Sequence, residues 1–499
     1  MPLSLSNRDQ NSGHLFYNRR LRAATTKFSV RMKHDDRKQT AAIVLSVVLI
    51  FIGMGWMLLL NVLRPAGIVR TSAIVGDRDS GAIYARIDGR LYPALNMTSA
   101  RLAVGNAELP TWVKPAEIAK YPTGPMIGIP GAPASLIAST GAPSAWAVCD
   151  TAGSPRRAEP PVVTAIAGPL SRVGRAAPLA PDAAVLTRFQ GVTYVIWGGK
   201  RSQVDPADRA ITLSLGIDPG TTVPVEMSRA LFDALPSTEP LRVPVIPQAG
   251  TPSQWVPGSQ VGAVLETRTA GGGSQFYVLL PDGVQKITSF VADLIRSANS
   301  FGSVAPLVIS PDKLVNIPEV GTLPVDYYPN SRLKFVDTAA DPTTCVGWEK
   351  APSDRQARVT VFNGRGLPVS PGMDNRIVRL VRDDRSPGSV VANQVLVLPG
   401  ATNFVTSTSA LLESDSRESL FWVSPNGVRY GIAAEDETLR GLGLDPASAQ
   451  QAPWPLLRTF AAGPELSRHA ALLARDTLAS TGAVMPVAPN NQQAIPGGH

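Results

Sequence analysis

The sequence predicts a single-pass membrane protein whose outer α+β portion combines a β-rich core domain with four hairpin-plus-helix repeat domains. Three observations predict it. One long uncharged apolar run follows a basic N-terminal arm. Proline (45) and glycine (43) are too frequent in 499 residues for a helical protein, which points to short strands and many turns. One strand–turn–strand pattern returns four times along the chain.

The arm, residues 1–40, carries nine Lys or Arg against Asp9, Asp35 and Asp36, so six of the chain's eight net positive charges lie there. A nucleic-acid binder spreads its charge over a folded face. Here the charge stands in front of an apolar segment, and no nucleic-acid partner is expected. Within the arm Tyr17, Leu21, Ala24, Phe28 and Met32 fall at i, i+4, i+7, i+11 and i+15, one stripe of a helix, with Arg19, Arg20, Arg22 and Lys27 elsewhere around it. Such a helix lies on anionic membrane lipids or docks its stripe on partner helices.

The apolar run "AAIVLSVVLIFIGMGWMLLLNVL" fills residues 41–63, with no charge between Lys38 and Arg64. As a helix it is about 34 Å long, enough to cross a hydrocarbon core of about 30 Å. It exceeds the apolar region of a cleaved signal peptide, and it is apolar all round, unlike a helix packed on a soluble core. Basic flanks stay in the cytoplasm, which places 1–40 inside and 64–499 outside the inner membrane.

Beyond it, "AIYARIDGRLYPALN" (82–96), "VTYVIWGGKRSQVD" (192–205), "QFYVLLPDGVQKIT" (275–288) and "SLFWVSPNGVRYGIA" (419–433) each alternate, turn and alternate again. Asp-Gly, Gly-Gly and Asn-Gly are residues that tolerate the tight turns of two-residue hairpins. "GGK" at 198–200 also suggests a phosphate loop, but the required first glycine is Tyr194 and the required hydroxyl is Arg201. The hairpin reading is preferred, with Lys200 and Arg201 as solvated strand-start residues. A helical stretch and a proline-bounded extended piece follow each hairpin. The repeats are placed at 64–135, 190–256, 257–334 and 418–481. The core is placed at 140–189 and 335–417, from strands such as "PPVVTAIAGPL" (160–170), "ARVTVFNG" (357–364) and "NQVLVLPGATNFVTS" (393–407). Residues 482–499 have the composition of a disordered tail.

Cys149 and Cys345 both lie beyond the apolar run, in a compartment that permits disulfides. Each has a tryptophan three residues away, Trp146 and Trp348, expected to shield it. A bond is favoured over two unrelated buried thiols; it would constrain the unfolded chain by about 5 kcal/mol. Catalytic groups are scarce. Of four histidines, His14 and His34 precede the apolar run and His499 is terminal, leaving His469, read as a surface residue of the last helix. No multi-histidine zinc site and no G-x-S-x-G elbow can be built. No catalytic, cofactor-binding or metal-ligating residue is assigned, and a scaffold or binding module is expected.

"HLFYNRRL" (14–21), "DRDSGAIYARIDGRLYPALNMTSARL" (77–102), "IGIPGAP" (127–133), "WAVCD" (146–150), "MSRALFDALP" (227–236), "APWPLL" (452–457) and "GPELSRHAALLARDTL" (463–478) resemble the EccB family, and "VLLPDGVQ" (278–285) differs from its family form by one leucine. EccB is the single-pass component of mycobacterial type VII (ESX) secretion systems. The resemblance implies a structural subunit of an inner-membrane export complex with EccC, EccD, EccE and the mycosin protease. It implies a periplasmic portion with a core and four repeats, a disulfide matching Cys149–Cys345, and dimerisation through that portion. Family members have been labelled ATPases, which is kept as the alternative reading beside a peptidoglycan-binding anchor.

Overall fold

The computed structural model describes residues 8–28, 33–63, 69, 72–139, 143–153, 159–218, 222–268, 272–381 and 389–477. The expected tail 482–499 and Met32 lie outside them. Two helices come first, Arg8–Lys27 and Lys33–Leu63. The second contains Thr40–Leu59, the one segment among the described residues long and apolar enough to cross a membrane. Its large side chains, Phe51 and Trp56 among them, are exposed.

The rest of the described chain forms five sheets. Four share one plan. Three antiparallel strands are followed by a helix, a strand that returns parallel to the first, a short helix, and a last piece parallel to the third. In the first unit the three strands are Ile74–Asp77, Ile83–Ile87 and Arg90–Ala94, and Thr111–Val113 returns beside Ile74–Asp77. In the second they are Ala183–Phe189, Val192–Trp197 and Lys200–Val204, joined by Val225–Glu226. In the third they are Val264–Arg268, Ser274–Leu280 and Gly283–Ile287, joined by Leu307–Val308. In the fourth they are Phe404–Thr408, Leu420–Val423 and Val428–Ile432, joined by Gln450–Pro453.

This plan corrects two expectations. Ala183–Phe189 and Phe404–Thr408, inside the ranges 140–189 and 335–417 placed in the core, pair with the second and fourth hairpins instead. The physical reason is that an isolated two-stranded hairpin is at best marginally stable, so each unit needs a third strand to bury one sheet face.

The hairpin tips also differ from one another. Gly198 and Gly199 have φ of 51° and 78° between the paired residues Trp197 and Lys200, the two-residue turn expected there. In the third unit Gly283 is instead a strand residue paired with Leu280, so the turn is Pro281-Asp282. A Cβ on Gly283 would lie 2.1 Å from the Pro318 carbonyl oxygen, so a close backbone approach explains this glycine.

The fifth sheet has seven strands, ordered Val378–Arg379, Gln394–Val397, Val162–Ala167, Ser144–Thr151, Thr343–Lys350, Arg358–Gly364 and Ala176–Pro178. Each unit buries its main helix against a neighbour. Leu102 of helix Met97–Val104 shares a cluster with Leu439 and Leu442 of helix Asp436–Leu442, joining the first and fourth units. Ile211 and Leu215 of Arg209–Leu215 share another with Phe290, Leu294 and Ile295 of Ser289–Ala298, joining the second and third. Each fully buried Leu, Ile or Phe contributes about 1.5–3 kcal/mol relative to exposure. Strand exchange reinforces both pairs. Ala474–Arg475 extends the first unit's sheet, and Lys334–Phe335 pairs with Ala183–Ala184 of the second.

Candidate functional site

The residues singled out in the sequence fall in two places, the first helix and the central sheet. On the first helix Tyr17, Leu21 and Ala24 share a face by spacing, with Tyr17 62% and Leu21 45% exposed. Arg19 and Arg20 are exposed as well. The stripe stops there. The helix ends at Lys27, and Phe28 takes a left-handed φ of 52°, which carries it off the helical spacing. Leu15 (57% exposed) and Phe16 (49%) add apolar surface that the stripe did not include.

In the central sheet Cys149 and Cys345 face each other in adjacent antiparallel strands and are bonded to one another. Their expected tryptophan shield is wrong. Side chains alternate along a strand, so a residue three positions away lies on the opposite face. Trp146 and Trp348 form their own cross-strand pair on the other side. The disulfide is covered by Phe362, Leu367, Val369, Ile166 and Leu396.

The tryptophan face receives the second and fourth units. Leu231 and Leu235 of the second unit, and Leu456, Leu457 and Phe460 of the fourth, pack there with Trp146, Val148 and Trp348. The Phe460 ring meets Trp146 edge-on at 5.5 Å. Leu231, Leu456 and Leu457 lie on short helices Arg229–Ala234 and Trp454–Leu457, and Leu235 and Phe460 lie just beyond their ends. Asp233 ties the units together, bonded to Arg229 at 2.6 Å within its own helix and to Arg458 across.

Two polar joints sit at opposite ends of strand Ser144–Thr151. At one end Asp150, on the tryptophan face, accepts from the Ser228 amide and hydroxyl, both at 2.7 Å, while Ser228 caps helix Arg229–Ala234. Burial raises the Asp150 carboxyl to about 7, although the two Ser228 donors pull it the other way. At the other end Ser144 donates to the Gln451 carbonyl at 2.7 Å, and Lys350 donates to the Gln451 side-chain oxygen at 2.7 Å.

Lys200 and Arg201 are half-buried, not solvated as expected. Lys200 donates to the Tyr327 carbonyl at 3.3 Å and lies 4.1 Å from the Trp197 ring centroid. Arg201 donates to the Phe232 carbonyl at 3.0 Å with its guanidinium 3.6 Å from the Phe232 centroid. Burial lowers the proton affinity of both. "GGK" is thus a hairpin tip with its lysine engaged by the third unit. Among the described residues no group of three or more His, Cys, Asp or Glu could hold a metal ion.

Residues 3–480 match the family model for the type VII secretion system ESX-1 transport TM domain B. This chain belongs to the EccB family. It is 74% identical over 484 residues to the ESX-2 secretion system ATPase EccB2 of Mycobacterium tuberculosis, covering 97% of this chain and 98% of that protein. To the ESX-5 secretion system ATPase EccB5 of the same species it is 39% identical over 483 residues, 95% of each. Among solved structures it is similar to a chain of an intact ESX-5 inner membrane complex, with TM-score 0.75, 37% identity and coverage of 98% and 99%. It is also similar to an EccB3 dimer from the ESX-3 core complex, with TM-score 0.71, 36% identity and coverage of 81% and 100%.

Sequence reasoning about this EccB chain missed Asp150, Asp233, Lys350 and Gln451 as joint residues. For Asp150 a signal existed. In "WAVCD" an acid occupies the third position of the alternation that Trp146 and Val148 begin. "MSRALFDALP" likewise offers Ser228 as a helix cap, but nothing local links the two stretches across 78 positions.

Proposed function

We propose that this chain is a structural, membrane-anchored subunit of a type VII (ESX) secretion complex, linking cytosolic and membrane components to a periplasmic assembly. The similarity to a chain of an intact ESX-5 inner membrane complex over 98% of the sequence carries this reading. The apolar helix spans the inner membrane once, with the basic arm cytosolic, as the positive flank favours. The outer portion divides into a core and four repeats. It self-associates, as the EccB3 dimer of the ESX-3 core complex suggests. EccC, EccD, EccE and the mycosin protease are the partners that family membership brings, and the arm meets them or the anionic inner leaflet through Tyr17, Leu21 and Ala24.

A double substitution, Tyr17→Asp with Leu21→Asp, tests the arm while leaving Arg19 and Arg20 in place. The variant should insert in the membrane normally, fail to co-purify with EccC or EccD, and stop secretion. Normal co-purification would reduce the arm to a topology signal. The relatives' names favour a second reading, ATP hydrolysis. ATP turnover by the purified chain that disappears in Lys200→Ala would establish it.

A further inference from the structure

A cavity of about 320 Å³ opens at the joint between the central sheet and the fourth unit, lined by Ser144, Lys350, Arg417, Ser448 and Gln451 among ten residues. Two of the ten are basic and none is acidic. Lys350 ends the central strand Thr343–Lys350 with a side chain only 9% exposed. Its ammonium has three N–H donors but one short acceptor, the Gln451 side-chain oxygen at 2.7 Å. The Ser414 carbonyl is at 3.5 Å, the limit of a hydrogen bond, and the Asp415 carboxylate at 3.7 Å, beyond it. Asp415 is 93% exposed, so water screens its charge. Arg417 stands at the rim and donates one bond, to the Ala449 carbonyl at 2.9 Å. Its planar fork offers four further N–H directions. The nearby carboxylates are engaged: Asp354 accepts from the Ala351 amide at 3.1 Å and Asp445 from the Ala447 amide at 3.0 Å.

A nearly buried ammonium with one short hydrogen bond, one long one and a water-screened carboxylate, a guanidinium anchored at the rim of the same cavity, and no acid in the lining together call for an anion. Burial makes such donors costly to leave unmet and strengthens any charge-assisted bond they form. The volume falls within the range of small-molecule sites. We propose that this pocket binds a small oxyanion, a phosphate or carboxylate group, between Lys350 and Arg417. Because Lys350 belongs to the sheet and Arg417 to the fourth unit, the bound anion braces that joint.

The test uses the full chain in detergent. Sodium phosphate and sodium citrate are titrated separately, against sodium chloride at matched ionic strength, with the unfolding midpoint and the heat of binding as readouts. At least one oxyanion should bind saturably and raise the midpoint, and the arm that responds identifies phosphate or carboxylate. Arg417→Gln, which leaves the buried Lys350 network in place, should weaken that binding by about tenfold or more, the ratio one charge-assisted hydrogen bond carries. Arg268→Gln, on an exposed arginine of the third unit, should leave it unchanged. Silence in both arms, an equal effect of chloride, or equal losses in the two variants would overturn the site.

Discussion

The second and fourth units dock on one face of the central sheet through the same elements, whereas the main helices of the first and third pack on the fourth and second units. The second residue of each unit's third strand marks the difference. In the first and third units it is Leu91 or Val284, fully buried in a small cluster closed by Ile118 or Ile317. In the second and fourth it is Arg201 or Arg429. Each arginine donates from Nε to a phenylalanine carbonyl, Phe232 at 3.0 Å and Phe460 at 3.2 Å. Each also lies over an aromatic ring, Phe232 at 3.6 Å or Trp454 at 5.0 Å. Where the short helix folds back on its own sheet, the position is aliphatic. Where the short helix faces the central sheet, an arginine fills it, covering the exposed side of the aromatic with its stem and plane. One fold is thus used in two ways by changing what lies beneath one short helix.

The largest expected effect breaks the fourth unit's attachment. Phe460 is fully buried against Trp146, where the second unit has the smaller Leu235; the second unit's Phe232, whose carbonyl accepts from Arg201, is half-buried and stacked on Phe189 at 4.2 Å. Phe460→Ala should cost about 3–5 kcal/mol, the range for a buried aromatic truncated in a core. Phe232→Ala should cost about half that, because water already covers part of the ring. Chemical denaturation followed by tryptophan fluorescence measures both. Equal costs would mean that the two units are attached alike.

Much of this architecture was legible in the sequence, and the failures have one cause. The apolar helix, the four hairpins and the helices behind them are local patterns, readable from spacing. The first strand of each unit was misassigned in two cases because Ala183–Phe189 and Phe404–Thr408 pair with hairpins through contacts that composition does not encode. Phe28 fitted the helical spacing, but the helix ends one residue before it. Lys200 and Arg201 looked solvated because hairpin tips usually are, yet the third unit and the short helix cover them. The two cysteines were visible as a pair through their compartment, but their surroundings required the strand period rather than sequence proximity.

An intermediate effect separates the joints by pH. Asp150 holds the second unit with its carboxyl raised from 3.8 to about 7 by burial. A raised acid contributes stability that is fully present below the unfolded value and is lost as pH rises through the folded one. The unfolding midpoint should therefore fall as pH rises from about 4 to about 7, and Asp150→Asn should flatten that slope. The fourth unit's joint rests on Gln451, which does not titrate. Gln451→Ala should lower the midpoint by a similar step at every pH, leaving the slope intact. A slope that survives in Asp150→Asn would remove Asp150 as its source.

The smallest effect tests whether the two arginines are equivalent. Lysine keeps the charge but lacks the planar fork that permits stacking and a directed Nε bond together. Arg201→Lys and Arg429→Lys should each cost about 1 kcal/mol, the scale of a partly desolvated cation–aromatic contact. Burial acts on both guanidiniums in the same direction, lowering their proton affinity, so their surroundings are alike in kind. Arg201 has a second ring, Tyr194, at 5.7 Å, and Arg429 has Phe421 at 5.8 Å, so neither is favoured by neighbours. Similar losses in the two variants, read as shifts of the denaturation midpoint at constant slope, are the expected result. A loss confined to Arg201 would assign the effect to the second unit's closer stack, 3.6 Å against 5.0 Å, and the arginine would then be a local device rather than a mark of docking on the central sheet.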